Sequence, residues 1–182
     1  MSINLRKVGN TEMEISELGL GTAPIGGWPI AINENQAFKT LEQAWNRGIR
    51  YFDTAPLYGS GMAEQRLGDF LKNKSRDEFK IATKVGRIIV DTDSSKAAEK
   101  FIGSPKNKDS QFDFSYDGVM RSFEDSLNRL KIDNVDILHL HDPDNHPDHF
   151  DQARRGAIKA MIKLKENKSV KADLETQLGY EI

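Results

Sequence analysis

The sequence predicts an α/β fold of parallel βαβ units, and three observations carry that expectation. Short apolar runs of strand length, at 49–53, 79–84 and 135–141, alternate with stretches whose apolar residues recur at helical spacing. Each of those runs ends in a titratable residue, Asp53, Lys84 or His141, and the first enters a polar turn. The chain has 182 residues, 37% hydrophobic and 30% charged, which suits one globular domain.

In order along the chain, residues 5–15 read as a hairpin with its turn at Gly9-Asn10-Thr11. Residues 15–21 form a strand candidate running into Gly19, Gly21, Gly26 and Gly27, where backbone can approach a ligand closely. Asn33 can cap a helix carrying Ala37, Leu41, Ala44 and Trp45, and Gly48 would end it. After the strand at 49–53, a helix is expected over 62–73, with Leu67, Phe70 and Leu71 inward. The strand at 79–84 is followed by a polar stretch, 91–115, too long for an ordinary βα loop. Another helix spans Tyr116–Leu130, a fourth strand 135–141, and a last helix 150–166. Periodicity by itself leaves a barrel and a doubly wound sheet both open.

Composition excludes several classes of function. Without cysteine, disulfide frameworks, thiolate nucleophiles and thiolate metal sites are ruled out. Lys and Arg number 26 against 28 Asp and Glu, a formal net charge of −2, so no electrostatic case exists for nucleic acid or an acidic membrane as partner. No apolar run approaches the roughly 18 residues of a spanning helix. The first ten residues lack the apolar stretch of a secretory signal, and a cytoplasmic protein is expected.

Parallel sheets build their sites at the C-terminal ends of strands. Asp53, Lys84 and His141 stand at three such ends, and Tyr58 lies in the loop after the first of them. Each residue also has an ordinary structural use. A strand-end aspartate can be a cap, a loop tyrosine a packing residue, a strand-end lysine a solvated charge and a histidine a satisfied core group. Their convergence on one end of the sheet is what points to a shared site.

The run from Gly48 to Gly59, GIRYFDTAPLYG, followed by Glu64 and Leu67-Gly68, resembles the second-strand signature of aldo-keto reductases. IATKVG at 81–86 resembles the strand bearing that family's lysine, and DILHLHDP at 136–143 the strand bearing its histidine. The resemblance covers about residues 3–172 and implies the N-terminal part of a (β/α)8 barrel, about four βα units plus an N-terminal hairpin. The long insert after Gly86 and the segment from Phe112 to Leu127 resemble a branch of sugar 1-dehydrogenases, of threo-aldose or fucose type, and pyridoxal 4-dehydrogenases.

That resemblance implies hydride transfer between NAD or NADP and a carbonyl compound or its alcohol, with an aldose, a related sugar or pyridoxal as substrate. It assigns Asp53, Tyr58, Lys84 and His141 as catalytic residues, with Tyr58 the proton donor and acceptor. A neighbouring ammonium favours a phenolate, and Lys84 is suited to supply it. Asp53 would hold Lys84, and His141 would orient the substrate oxygen. Gly21, Thr22 and Asp53 are implied at the nicotinamide and His141 at the substrate, and Trp28 is a candidate wall of the substrate pocket, with ordinary loop packing as the other reading.

Two other expectations stand beside this one. His139 and His141, two apart on a strand, share a face and resemble half of a hydrolase metal site, with Asp142, Asp144, His146 and His149 near in sequence. No second histidine cluster accompanies them, Tyr58 and Lys84 would be left without a role, and the reading here is no metal. His146 and His149 are expected in solvated loop. Residues 173–182, DLETQLGYEI, lack the apolar, glycine-containing fifth strand that the family pattern continues into. Early termination of the reading frame is therefore expected, with 1–172 a partial barrel and 173–182 a non-matching tail. Such a half barrel would leave open sheet edges, so self-association, or an inactive self-associating remnant, is the non-enzymatic expectation.

Overall fold

The computed structural model describes residues 3–170. The tail at 173–182 lies outside the described residues. Two short strands, β1 (Leu5–Lys7) and β2 (Glu14–Ser16), form an antiparallel hairpin. The central sheet is parallel, with strand order β3 (Gly19–Gly21), β4 (Tyr51–Asp53), β5 (Lys80–Val85) and then, after an intervening insert, the strand at Ile137–Leu140. The continuous strand expected at 15–21 is thus two strands. Ile15 pairs with Arg6 in the hairpin, whereas Leu20 pairs with Phe52 in the sheet, and the chain turns between them at Glu17 and Leu18.

Helix α1 (Glu34–Asn46) begins where the sequence places it. The Asn33 side chain accepts from Gln36 N–H at 2.9 Å, and the Gln36 side chain accepts from Asn33 N–H at 2.9 Å. Helix α2 (Met62–Leu71) follows β4, two residues shorter than expected at its C-terminus. The expected polar stretch at 91–115 is ordered: β6 (Arg87–Asp91) pairs antiparallel with β7 (Lys108–Phe112), and a short helix, α3 (Ala97–Lys100), lies between them. The Asp109 carboxylate accepts from Lys96 N–H at 2.8 Å and Ala97 N–H at 3.2 Å, tying α3 to the hairpin.

Helix α4 (Tyr116–Leu130) is capped by Ser115, whose hydroxyl accepts from Gly118 N–H. Strand β8 (Ile137–Leu140) ends one residue before His141. The last helical segment starts earlier than expected: α5 (Pro147–Gln152) runs through a π-helical turn at Ala153–Ala157 into α6 (Ile158–Glu166). His146 caps α5, accepting from Asp148 N–H through Nδ1. His146 is thus an exposed loop residue, as expected, whereas His149 lies within α5, half-buried with its ring 4.5 Å from that of Phe112, and not in solvated loop. Beyond α6, Val170 makes a parallel bridge to Val135.

The alternation of side chains in the strands divides the sheet into two faces. Phe52, Ile81, Val85, Leu138 and Leu140 pack toward the helices with Leu41, Leu67, Val119, Phe123 and Leu164 in the main core. On the other face Ala82 and Ile137 meet Val8, Met13, Ile15 and Tyr51, so the hairpin closes the bottom of that face. Further along the same face the residues become polar: Asp53 is in register with Ala82, and Lys84 with His139. No helix among the described residues is long and apolar enough to cross a membrane.

Candidate active site

The three strand ends bring the expected residues together. Lys84 Nζ lies 2.8 Å from both Asp53 Oδ1 and Asp53 Oδ2, and donates a third bond to the Thr54 carbonyl at 2.9 Å. All three ammonium hydrogens therefore have acceptors, which fixes the direction of the lysine head. Its position, 5.0 Å from the centre of the Tyr58 ring, sets the cation beside the tyrosine. The Tyr58 ring meets the His141 ring edge-on, 6.2 Å between centroids. Asp53, Tyr58, Lys84 and His141 thus form one cluster at the polar end of the sheet.

Burial tunes the histidines. The His141 imidazole is held far below its usual range, at about 3, first by burial. Asp142 opposes that shift, while the cations Arg87, Lys84 and Lys100 add to it. His139 is likewise lowered, by burial and then by Lys84. At neutral pH both rings are uncharged. Tyr51, one layer below Asp53, is pushed up to about 12 by burial and by the Asp53 carboxylate, and remains a phenol.

Among the described residues no group of three or more histidine or acidic side chains is placed to hold a metal ion. His139 is in register with Lys84, whose charge adds to burial in disfavouring a second proton on its imidazole.

Of the residues implied at the cofactor, Gly21 ends β3 with no atom within 4 Å of where a Cβ would stand, an open approach to backbone. Thr22 N–H donates to the Asp53 carbonyl at 2.9 Å, and the buried hydroxyls of Thr22 and Thr54 have no protein partner. Trp28 is about half exposed, at 46%, on the loop after Gly27.

The insert sets further residues against this cluster. Phe101, buried, lies 6.1 Å from the Tyr58 ring, and Ile102 N–H donates to the Gly27 carbonyl at 2.8 Å. Arg87, at the start of β6, pairs with Asp142 at 3.2 Å beside His141. Its signal in the sequence was a lone arginine directly after the glycine that follows the lysine strand.

The aldo/keto reductase family profile matches residues 17–171. The chain belongs to the aldo/keto reductase family. A D-threo-aldose 1-dehydrogenase of a Pseudomonas species is 38% identical over 170 residues, covering 88% of this chain and 49% of that one. A pyridoxal 4-dehydrogenase of Microbacterium luteolum is 39% identical over 184 residues, covering 91% of this chain and 53% of that one. The glycerol dehydrogenase structure from Gluconobacter oxydans superposes with a TM-score of 0.70 at 26% identity, over 97% of this chain and 49% of that one. The chain spans about half the length of these relatives, and the four parallel strands among its described residues, with their helices, are the N-terminal βα units of the barrel.

Proposed function

We propose that this site carries out hydride transfer between NAD or NADP and a carbonyl or its alcohol, with an aldose, a related sugar or pyridoxal as substrate, in the cytoplasm. The observation that supports it is the Lys84 ammonium, held by Asp53 and Thr54 and set against the face of Tyr58. The names of the relatives, an aldose dehydrogenase and a pyridoxal dehydrogenase, support the substrate class. Residues 1–172 act in this reading as one partial barrel.

The nicotinamide supplies or receives the hydride when bound. Gly21 leaves backbone open at the end of β3, and Thr22 and Asp53 adjoin it, so these residues fit the close approach of a planar ring. Tyr58 Oη gives a proton to the carbonyl oxygen in reduction and takes one from the alcohol in oxidation. The Lys84 cation favours the anionic oxygen that results. Asp53 keeps Lys84 in place. His141, uncharged, orients the substrate oxygen, with Trp28 and Phe101 forming walls around the substrate.

A second reading has an observation of its own. Among the described strands β3 and β8 pair within the sheet on one side only, leaving backbone groups for another copy, so self-association through these edges accompanies or replaces the activity.

The test titrates the chain with NAD(H) and NADP(H) up to about 1 mM while its tryptophan fluorescence is followed, then assays aldoses and pyridoxal. Saturable binding with turnover is expected. Tyr58→Phe should keep the binding and lower kcat by about 10²–10⁴. Unchanged turnover in that variant, or no binding at the highest cofactor concentration, overturns the reading, and sedimentation of the same samples reports self-association.

A further inference from the structure

Asp142 is a non-glycine residue in the left-handed region, at φ 51 and ψ 53, directly after His141. Such a turn is uncommon for a residue with a side chain and directs attention to what that side chain does. Its carboxylate turns back on its neighbour: Asp142 Oδ2 stands 3.5 Å from His141 Nε2. The same oxygen is 3.2 Å from Arg87 Nη2. Arg87 is itself clamped, its guanidinium stacked 3.7 Å over the Phe112 ring and its carbonyl accepting from the Ser122 hydroxyl at 2.7 Å. The His141 backbone N–H donates to Val85 O at 2.9 Å, which fixes the other end of the residue. Meanwhile His141 Nδ1 is buried without a hydrogen-bond partner.

We propose that Arg87 and Asp142 are a positioning pair for His141, holding the proton of its imidazole on Nε2 and leaving the Nδ1 lone pair as a buried acceptor. The reason is electrostatic. A bare Nε2 lone pair facing a carboxylate oxygen at 3.5 Å would be repelled, whereas an N–H in that place is attracted. Arg87 keeps the carboxylate aimed, since its planar head bonds Asp142 while stacking on Phe112. The charged groups that act on the ring are Lys84 from β5, Arg87 from β6, Lys100 from α3, and Asp142. Asp142 is the anion among them, so it sets which nitrogen holds the proton. Neither residue touches substrate in this arrangement; both act through His141. The inference rests on His141 being a site residue as proposed above, but its test does not need turnover.

The experiment reads the imidazole nitrogens of the free chain by ¹⁵N NMR near neutral pH, with the His141 signals assigned by their loss in His141→Gln. In the unmodified protein a preference of about tenfold or more for the proton on Nε2 is expected. Asp142→Asn, close in shape, should remove most of that preference. Arg87→Met should weaken it and Arg87→Lys restore it in part, while the His146 and His149 signals stay in place and report that the fold is intact. A proton on Nδ1 in the unmodified chain overturns the proposal. So does an unchanged His141 tautomer in both folded Asp142→Asn and folded Arg87→Met. Failure to bind cofactor would instead strike the proposed function and leave this result standing.

Discussion

Glu64, fully buried on α2, shows how far single residues of this chain are committed. Its carboxylate accepts from the Thr83 hydroxyl at 2.6 Å and from Arg129 Nε at 2.7 Å, tying α2 to β5 and α4. Removing one partner leaves a buried charge uncompensated, so Arg129→Met should cost about 3–5 kcal/mol in urea unfolding. A change of less than about 1 kcal/mol would show that water or rearrangement replaces the arginine. His141 gives a second residue-level expectation. Its folded value of about 3 lies below the ordinary 6.5, so between those limits the unfolded chain takes up a proton that the folded chain refuses. The contribution of the uncharged imidazole is therefore complete above pH 6.5 and is lost as pH falls toward 3. The slope is at most about 1.4 kcal/mol per pH unit for one proton. His141→Gln should flatten the acid side of the stability curve by that share, leaving the part due to His139. An identical slope in the two proteins would mean that His141 is solvated in solution.

At the scale of elements, the insert from β6 to β7 is where sequence and structure diverge, and the reason is physical. Strands β4, β5 and β8 were legible because their apolar residues mark them as buried: Phe52, Ile81, Val85, Leu138 and Leu140 all face the helices. The residues Asp53, Lys84 and His141 were legible because each ends such a run. Strand β7, KDSQF, carries no such mark, since it is held to β6 mainly by backbone pairing and both strands are half exposed. The Arg87–Asp142 pair is not legible in the sequence for a related reason: 55 positions separate its members, and a register of strands, not local spacing, brings them together. The docking of the insert is testable at Gly27. Its φ is 97, and a Cβ there would stand 2.3 Å from the Ile102 carbonyl oxygen. Gly27→Ala should therefore cost about 1–3 kcal/mol and loosen the 92–107 segment. Limited proteolysis would read faster cleavage in that segment with helical circular dichroism retained. Unchanged cleavage would show that the loop and insert move together without strain.

For the whole molecule, the sheet has two faces, and they are stabilised separately. The helix-covered face holds the large core, whereas the opposite face is apolar at one end and ionic at the other. That division places the N-terminal hairpin under the candidate site. Val8, Met13 and Ile15 cover Ala82, Ile137 and Tyr51, and Lys84 stands two residues further along β5 than Ala82. Ile15→Asp would set a carboxylate against this small cluster, losing apolar contact and desolvating a charge, and should lower stability by about 2–3 kcal/mol. Leu18→Asp, at a position 62% exposed, should change it by less than about 0.5 kcal/mol. Urea titrations of the two variants decide the matter, and equal effects would mean that the hairpin does not close the sheet in solution. If the hairpin is a separate floor, His141 in folded Ile15→Asp should still give the tautomer signal of the unmodified chain. Its loss would show that the floor and the strand ends move as one body.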